Sequence, residues 1–260
     1  MRRILLTTLT ICAFASPAMA CLWDDDTLAH EAKGIEDVVS VILGAFPRNP
    51  AKYFEMRLEA AEAAIAKDPT DWAVYDNAGV ACDRLGKCDK AIAMMEAKAK
   101  AMQDANFDAS KEPQPNHSYR LKANLGTFYV HRWIKTGADW AKMDDVTKAK
   151  EQIAAAIKEN PDAHFGREIY QLKALEWLVS KPIEVKPSFN KYGSPTNAYP
   201  DIMGLHKMAV VRSNDAAAFK KQYNELEKML KGLAGLIKMG NAWRSLDVLY
   251  AMQIIAARQD

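Results

Sequence analysis

Very little in this chain points to chemistry. Its 260 residues hold four cysteines, one of them inside the first twenty. That count is too low for a disulfide-built scaffold, and no Cys-x-x-Cys-His is present to attach haem. After the first twenty residues no apolar run is long enough to cross a bilayer. Charge of either sign is not in excess. There are 35 Lys and Arg against 33 Asp and Glu, and two of the arginines lie in the first twenty residues, which hold no acids. The remainder therefore balances, with no dense basic block, and this argues against nucleic-acid binding. Signatures of catalysis are missing as well. H-E-x-x-H, G-x-S-x-G, G-x-G-x-x-G and the phosphate loop G-x-x-x-x-G-K-[ST] do not occur. Gly86-Lys87 comes nearest to the last, but Ala81 stands where its first glycine is needed and Cys88 where Ser or Thr would bind magnesium. No catalytic residue, metal ligand or cofactor site is expected.

What is present begins with a leader. Arg2 and Arg3 open it, an apolar run follows from 4 to 15, and Ala18-Met19-Ala20 is a small-x-small cleavage site. Residues 1–20 read as a secretory signal peptide, so the protein is expected in the periplasm or secreted. Cys21 would then be the first mature residue and a candidate for lipid attachment, although Ala18 stands where a lipoprotein box carries a Leu-like residue. Contact with a membrane is expected only if Cys21 is lipidated.

The rest of the chain reads as helices. Asp24, Asp25 and Asp26 precede a helical pattern over 27–43, with Asp26 as its N-cap and the other carboxylates facing the positive end of the helix dipole. Asn49-Pro50 starts the next helix, with proline at the first helical position, and it runs to Asp68-Pro69. From 68 to 102 the apolar and small residues form two sets. Tyr75, Ala78, Gly79 and Cys82 make the first, and Ala91 and Met95 the second. Gly86 between them is placed for a left-handed C-cap, and Asp89 for the next helix start. A linker with Pro113 and Pro115 follows. Leu125, Gly126 and Tyr129 then repeat the first set, with Lys122 as its poor member, and Ala149, Ile153 and Pro161 repeat the second. Eleven additional residues separate the two halves here. Another helix is expected from Pro161 to Ser180, then a proline-rich loop over 181–200. Helices over 201–211 and 215–239 come next, and a last one capped by Ser245 closes the chain.

These spacings carry a resemblance to the tetratricopeptide repeat family, whose template is W-x2-L-G-x2-Y, then A-x3-F, then Pro. Ile65 and Ala99 lie one 34-residue repeat apart. The likeness covers about half the chain, from Tyr53 to Ser180. Residues 21–28, 46–58 and 160–168 also resemble exported bacterial tetratricopeptide proteins with no assigned activity. The resemblance implies an all-α fold: stacked antiparallel helical hairpins over 21–180 in a tetratricopeptide-like solenoid, and C-terminal helices over 201–260 that cap it.

Such a solenoid implies a groove for a protein or peptide partner. The sets above occupy the packing face of the first helix in each repeat. Asp76, Asn77, Asp83 and Arg84 are left for the groove in one repeat, and Arg120, Asn124, Thr127 and His131 in the next. Asn77 and Asn124 share a repeat position, and an amide offers donors and an acceptor to a peptide backbone. The same residues would equally suit a solvated helix face. Two further expectations concern pairs. Cys82 and Cys88, across the 85–87 turn, are placed for a disulfide, or else are two buried thiols. His164 and Glu168, four apart on one helix face, could instead mark an exported enzyme or a metal-binding protein. The third alternative is a structural envelope lipoprotein.

Overall fold

A computed structural model of the protein describes residues 22–26, 38–113, 116–180, 203–205, 215–240 and 245–258. Every regular element among them is a helix, so the fold is all-α. The α-helices are α1 (Val38–Ile42), α2 (Ala51–Lys67), α3 (Trp72–Arg84), α4 (Cys88–Asp104), α5 (His117–Lys135), α6 (Asp144–Glu159), α7 (Arg167–Val179), α8 (Ala216–Gly240) and α9 (Leu246–Ala256). The leader, Cys21, the rest of the helical pattern over 27–37, the proline-rich loop and nearly all of 201–211 lie outside the described residues.

Local chemistry sets most of the boundaries. Gly86 takes φ +69° and ends α3, with its own N–H bonded to Asp83 O and that of Lys87 to Cys82 O. This left-handed cap satisfies carbonyls that the helix end would otherwise orphan. The Asn116 Oδ1 accepts from Tyr119 N at 2.9 Å to start α5, and Ser245 Oγ accepts from Val248 N at 3.3 Å to start α9. Two boundaries differ from the sequence reading. The cap of α2 is Pro50 rather than Asn49. The helix expected from Pro161 is broken by Gly166, whose φ of +73° separates a 3-10 turn over Ala163–Gly166 from α7.

Consecutive helices from α2 to α7 pack on one another, and α3 also packs on α5. Within the α3–α4 hairpin, Asp76 meets Lys98 near one end and Gly79 meets Met95 further along, so one chain number rises as the other falls. The two helices are antiparallel. The same holds for α5 and α6, where Lys122 meets Glu159 and Arg132 meets Asp145. By contrast, α3 and α5 run the same way, since Asp76 bonds Asn124 and Asp83 bonds His131, both 48 residues on. Glycine lets the hairpins close: a Cβ on Gly126 would lie 2.6 Å from Ile153 Cγ1 and 3.0 Å from the Ala149 carbonyl oxygen.

Among the described residues two large apolar cores result, with a smaller cluster around Trp23 beside them. One gathers Leu58, Tyr75, Ala78, Met95 and their neighbours from α2–α4, closed by Phe128 of α5. The other joins Trp133, Ile153 and Leu175 of α5–α7 to α8 and α9 through Leu226, Leu233, Ile237, Met252 and Ile255. Apolar burial of this kind is the main stabilising term in both.

Candidate functional site

The α3–α5 contact is polar and sealed. Asp76, Asp83, Asn124 and Thr127 have almost no exposed surface, and His131 retains only 9%. At one end the Nδ1–H of His131 donates to Asp83 Oδ1 at 2.7 Å, because an ionised carboxylate can only accept. In the middle Gln171 of α7 donates to Thr127 Oγ1 at 3.2 Å. At the other end Lys98 Nζ reaches both Asp76 oxygens at 2.7 and 2.8 Å, and Asn124 Nδ2 adds a bond to Oδ1 at 3.1 Å. Burial pushes the Asp76 carboxyl up and the Lys98 ammonium down, and their mutual attraction opposes both shifts.

Residues 22–26 lie on this seam. The Asn124 side chain uses its Oδ1 to accept from Trp23 N at 2.8 Å and its Nδ2 to donate to Trp23 O at 3.0 Å. Two residues on, Asn77 Oδ1 accepts from Asp25 N at 3.3 Å, and Asn77 Nδ2 donates to the Asp25 carboxylate at 2.8 Å. Arg57 of α2 pairs with Asp24 at 3.1 Å and with Asp26, and donates to Asn77 Oδ1 at 2.7 Å. Tyr53 OH donates to Asp26 at 2.7 Å. Burial lowers the Arg84 pKa, and the charges of Asp83, then Asp24 and Asp26, oppose the shift.

The Trp23 ring is buried with Tyr119, Ala123, Ala156 and Ala163. It meets the Tyr119 ring edge-on at 5.3 Å, and the Arg120 guanidinium sits 5.7 Å from its centre. Three alanines leave room for an indole there. Below it lies Glu168, whose carboxyl is pushed up by burial; Arg167 and hydrogen bonds from the Tyr119 and Trp23 side chains oppose the shift.

The structure therefore redistributes the residues expected on an open groove face. Asn77, Arg84, Arg120 and Asn124 converge on residues 22–26. Thr127 and His131 do not, being bonded to Gln171 and Asp83 between helices. Asp76, Asp83, Asn124, Thr127 and His131 are buried because α3 and α5 lie against each other there, while Asn77, Arg84 and Arg120 are half-buried. The carboxylates of Asp24, Asp25 and Asp26, the last two in helical conformation, reach Arg57, Asn77 and Tyr53. The disulfide is corrected too: Cys82 and Cys88 are free and buried. The charges of Lys90 and Glu62 bear most on Cys82, those of Asp83 and Lys135 on Cys88. Burial raises both thiols to about 11, which makes them poor nucleophiles. Glu168 is enclosed in the Trp23 cluster, and the side chain of His164 and Cys21 lie outside the described residues.

Sequence reasoning missed Trp23, Arg57 and the Asp76–Lys98 pair. One signal was legible. Lys98 falls on the stripe of Ala91, Met95 and Met102, so a lysine sits in register with the buried face of α4. Among the described residues no three His, Cys, Asp or Glu side chains are grouped to hold a metal ion. No helix among them is long and apolar enough to cross a membrane. No family model, curated protein or solved structure matches the chain.

Proposed function

We propose that this protein is an exported binding module of the tetratricopeptide type, which holds a protein or peptide segment on the face formed by α2, α3 and α5. One observation carries the reading. Asn77 and Asn124, two residues before Gly79 and Gly126 in their respective repeats, each engage a main-chain amide of the segment 22–26, at Asp25 and Trp23. Main-chain gripping by side chains on a rigid helix scaffold is how extended peptides are held without a sheet edge. Glu168 is buried beside Trp23, Tyr119 and Arg167, a position that suits a packing role. The leader over 1–20 supports a place outside the cytoplasm.

The test is a displayed peptide library panned against the chain beginning at Cys21, the N-terminus that mass spectrometry of native protein should give. It is repeated with Trp23→Ala to loosen the seated segment. Enriched peptides should bind saturably in fluorescence anisotropy. Asn77→Ala, at a half-buried residue, should weaken that binding three- to tenfold, the loss of about one hydrogen bond, while changing the melting temperature little. Failure of both forms to enrich any peptide would overturn the reading.

A further inference from the structure

We infer that the chain pairs with a second copy of itself, the exposed first half of α8 in each copy lying on the outer face of α9 in the other. The inference is independent of the peptide-binding reading and concerns the other end of the chain.

The two halves of α8 meet different surroundings. Every residue from Gly232 to Ile237 is buried, and Leu226 and Leu233 belong to the C-terminal core. Between Asp215 and Glu225 only Ala218 and Gln222 are half-buried, and the others are exposed. The helical part of that stretch is an arm about 15 Å long at 1.5 Å per residue. Phe219 and Tyr223 stand one turn apart on it, each 41% exposed. Apolar anchors four residues apart are what a helix lays on a partner surface. So short a helix is marginal in water by itself, and the arm gains from a surface to lie on.

The last helix offers that surface. Its residues Val248, Ala251, Met252 and Ile255 face the core, where α9 packs on α8. The other side carries Leu246, 64% exposed, and Tyr250, 38% exposed. A helix side that meets water is ordinarily polar, and this one is not. The arm of the same chain cannot reach it, because α8 is one continuous helix and packs on the opposite side of α9. Charge then selects the partner. Asp247, the one charged residue of α9, is half-buried. Burial pushes its carboxyl up, and among the described residues no cation opposes that shift. On the arm Lys220 shares the face of Tyr223, three residues on, and among the described residues it has no carboxylate partner. Asp215 is spent on the Ala218 amide, and Glu225 lies near Tyr170. Phe219-Lys220 with Tyr223 and Leu246-Asp247 with Tyr250 are thus one arrangement in opposite charge. Laid antiparallel, they put Phe219 by Tyr250, Tyr223 by Leu246, and Lys220 and Asp247 on the same flank. A twofold axis makes this contact twice, which brings two short helix pairs toward the roughly 1,000 Å² that a specific interface needs.

The experiment is sedimentation equilibrium on the full chain beginning at Cys21, kept reduced, which should show monomer and dimer and no larger species. Lys220→Glu should weaken the dimer about tenfold, since it reverses one charge in each of the two contacts. Asp247→Lys should do the same, and the two changes together should return most of the affinity. Leu246→Ser should weaken the dimer by about as much. Carbodiimide treatment of mixed natural and isotope-labelled chains should join Lys220 of one chain to Asp247 of another in peptide mass spectra. Lys220 and Leu246 are exposed, so their variants should keep the natural circular dichroism and melting temperature. If Asp247→Lys unfolds the chain, these two variants still decide. A chain that stays monomeric to roughly 200 micromolar overturns the inference. So does a dimer that neither Lys220→Glu nor Leu246→Ser weakens, because it then uses another surface. Growth beyond the dimer overturns it as well, since an open series means a head-to-tail contact without the twofold axis.

Discussion

Between α3 and α5 carboxylates, an asparagine and a histidine are buried beside Phe128 and are joined by Lys98 of α4, whereas α7, α8 and α9 meet through leucine, alanine, isoleucine and methionine. The apolar contact supplies more burial per residue but tolerates sliding, because dispersion and the hydrophobic effect have no direction. The polar seam supplies less and permits one register. Asp76 must meet Asn124 and Asp83 must meet His131, and a shift of either helix would strand buried charges. What the comparison teaches is where specificity sits. The C-terminal helices meet through burial alone, and the seam fixes the register of α3 against α5.

The strongest way to break the contrast is to remove one half of the Asp76–Lys98 pair. Lys98 has no exposed surface, so Asp76→Ala leaves an ammonium buried without its carboxylate. The expected cost is about 3–5 kcal/mol in urea unfolding. Replacing both partners, Asp76→Leu with Lys98→Met, should return most of that loss, because a matched apolar pair avoids the desolvation of two ions. If Asp76→Ala costs less than about 1 kcal/mol, the exposed-pair magnitude, the seam is not sealed as described.

On the apolar side the corresponding probe is steric. A Cβ on Gly232 of α8 would lie 2.2 Å from Cδ2 of the Tyr170 ring on α7. Gly232→Ala should therefore cost about 1–3 kcal/mol, although alanine is the better helix former. Tyr170→Ala in the same chain should give a clearly non-additive sum, since it removes the atoms that clash. Additive losses would mean that α7 and α8 slide to accommodate the methyl group. That would sharpen the view that this half lacks a fixed register.

The sequence made local devices easy to read and distant partners hard. Gly86, Asn116 and Ser245 mark helix ends because cap chemistry acts within a few residues. The asparagines at 77 and 124 stood out through their shared repeat position. Their occupant did not, because Trp23 and Asp25 lie 101 and 52 residues away. Burial of the polar face was misread for a related reason. A helix with Asp76, Asn77, Asp83 and Arg84 along one side has the pattern of a solvated face, and only a second polar helix laid along it changes that. Gly166 shows the limit even of local reading: Pro161 signals a start, but the left-handed residue five positions on delays α7 to Arg167. Cys82 and Cys88 were close in number, and number alone did not say which neighbours each would face.

The smallest expected effect is a pH dependence at the border of the seam. His117 opens α5, edge-on to the Trp72 ring at 5.5 Å and beside Phe107. Burial, joined by the nearby Lys98 and Arg120 cations, lowers its imidazole from 6.5 to about 4. In the folded protein it stays neutral where the unfolded chain would already be protonated. Between about pH 6.5 and 4 the unfolded state thus binds more protons, and stability falls as pH falls through that window. The ring is only half enclosed, so solvent screening reduces the contribution to about 1–2 kcal/mol. Asp76 and Glu168, whose carboxyls burial pushes up, act in the opposite sense, with stability lost as pH rises through their folded values. A comparison of variants separates these terms. Urea unfolding at pH 7 and pH 4.5 should show a smaller acid-side loss in His117→Gln than in the natural chain, by roughly 1 kcal/mol. Equal losses in the two chains would mean that His117 titrates as it would in water, and that the cations of the seam do not reach it.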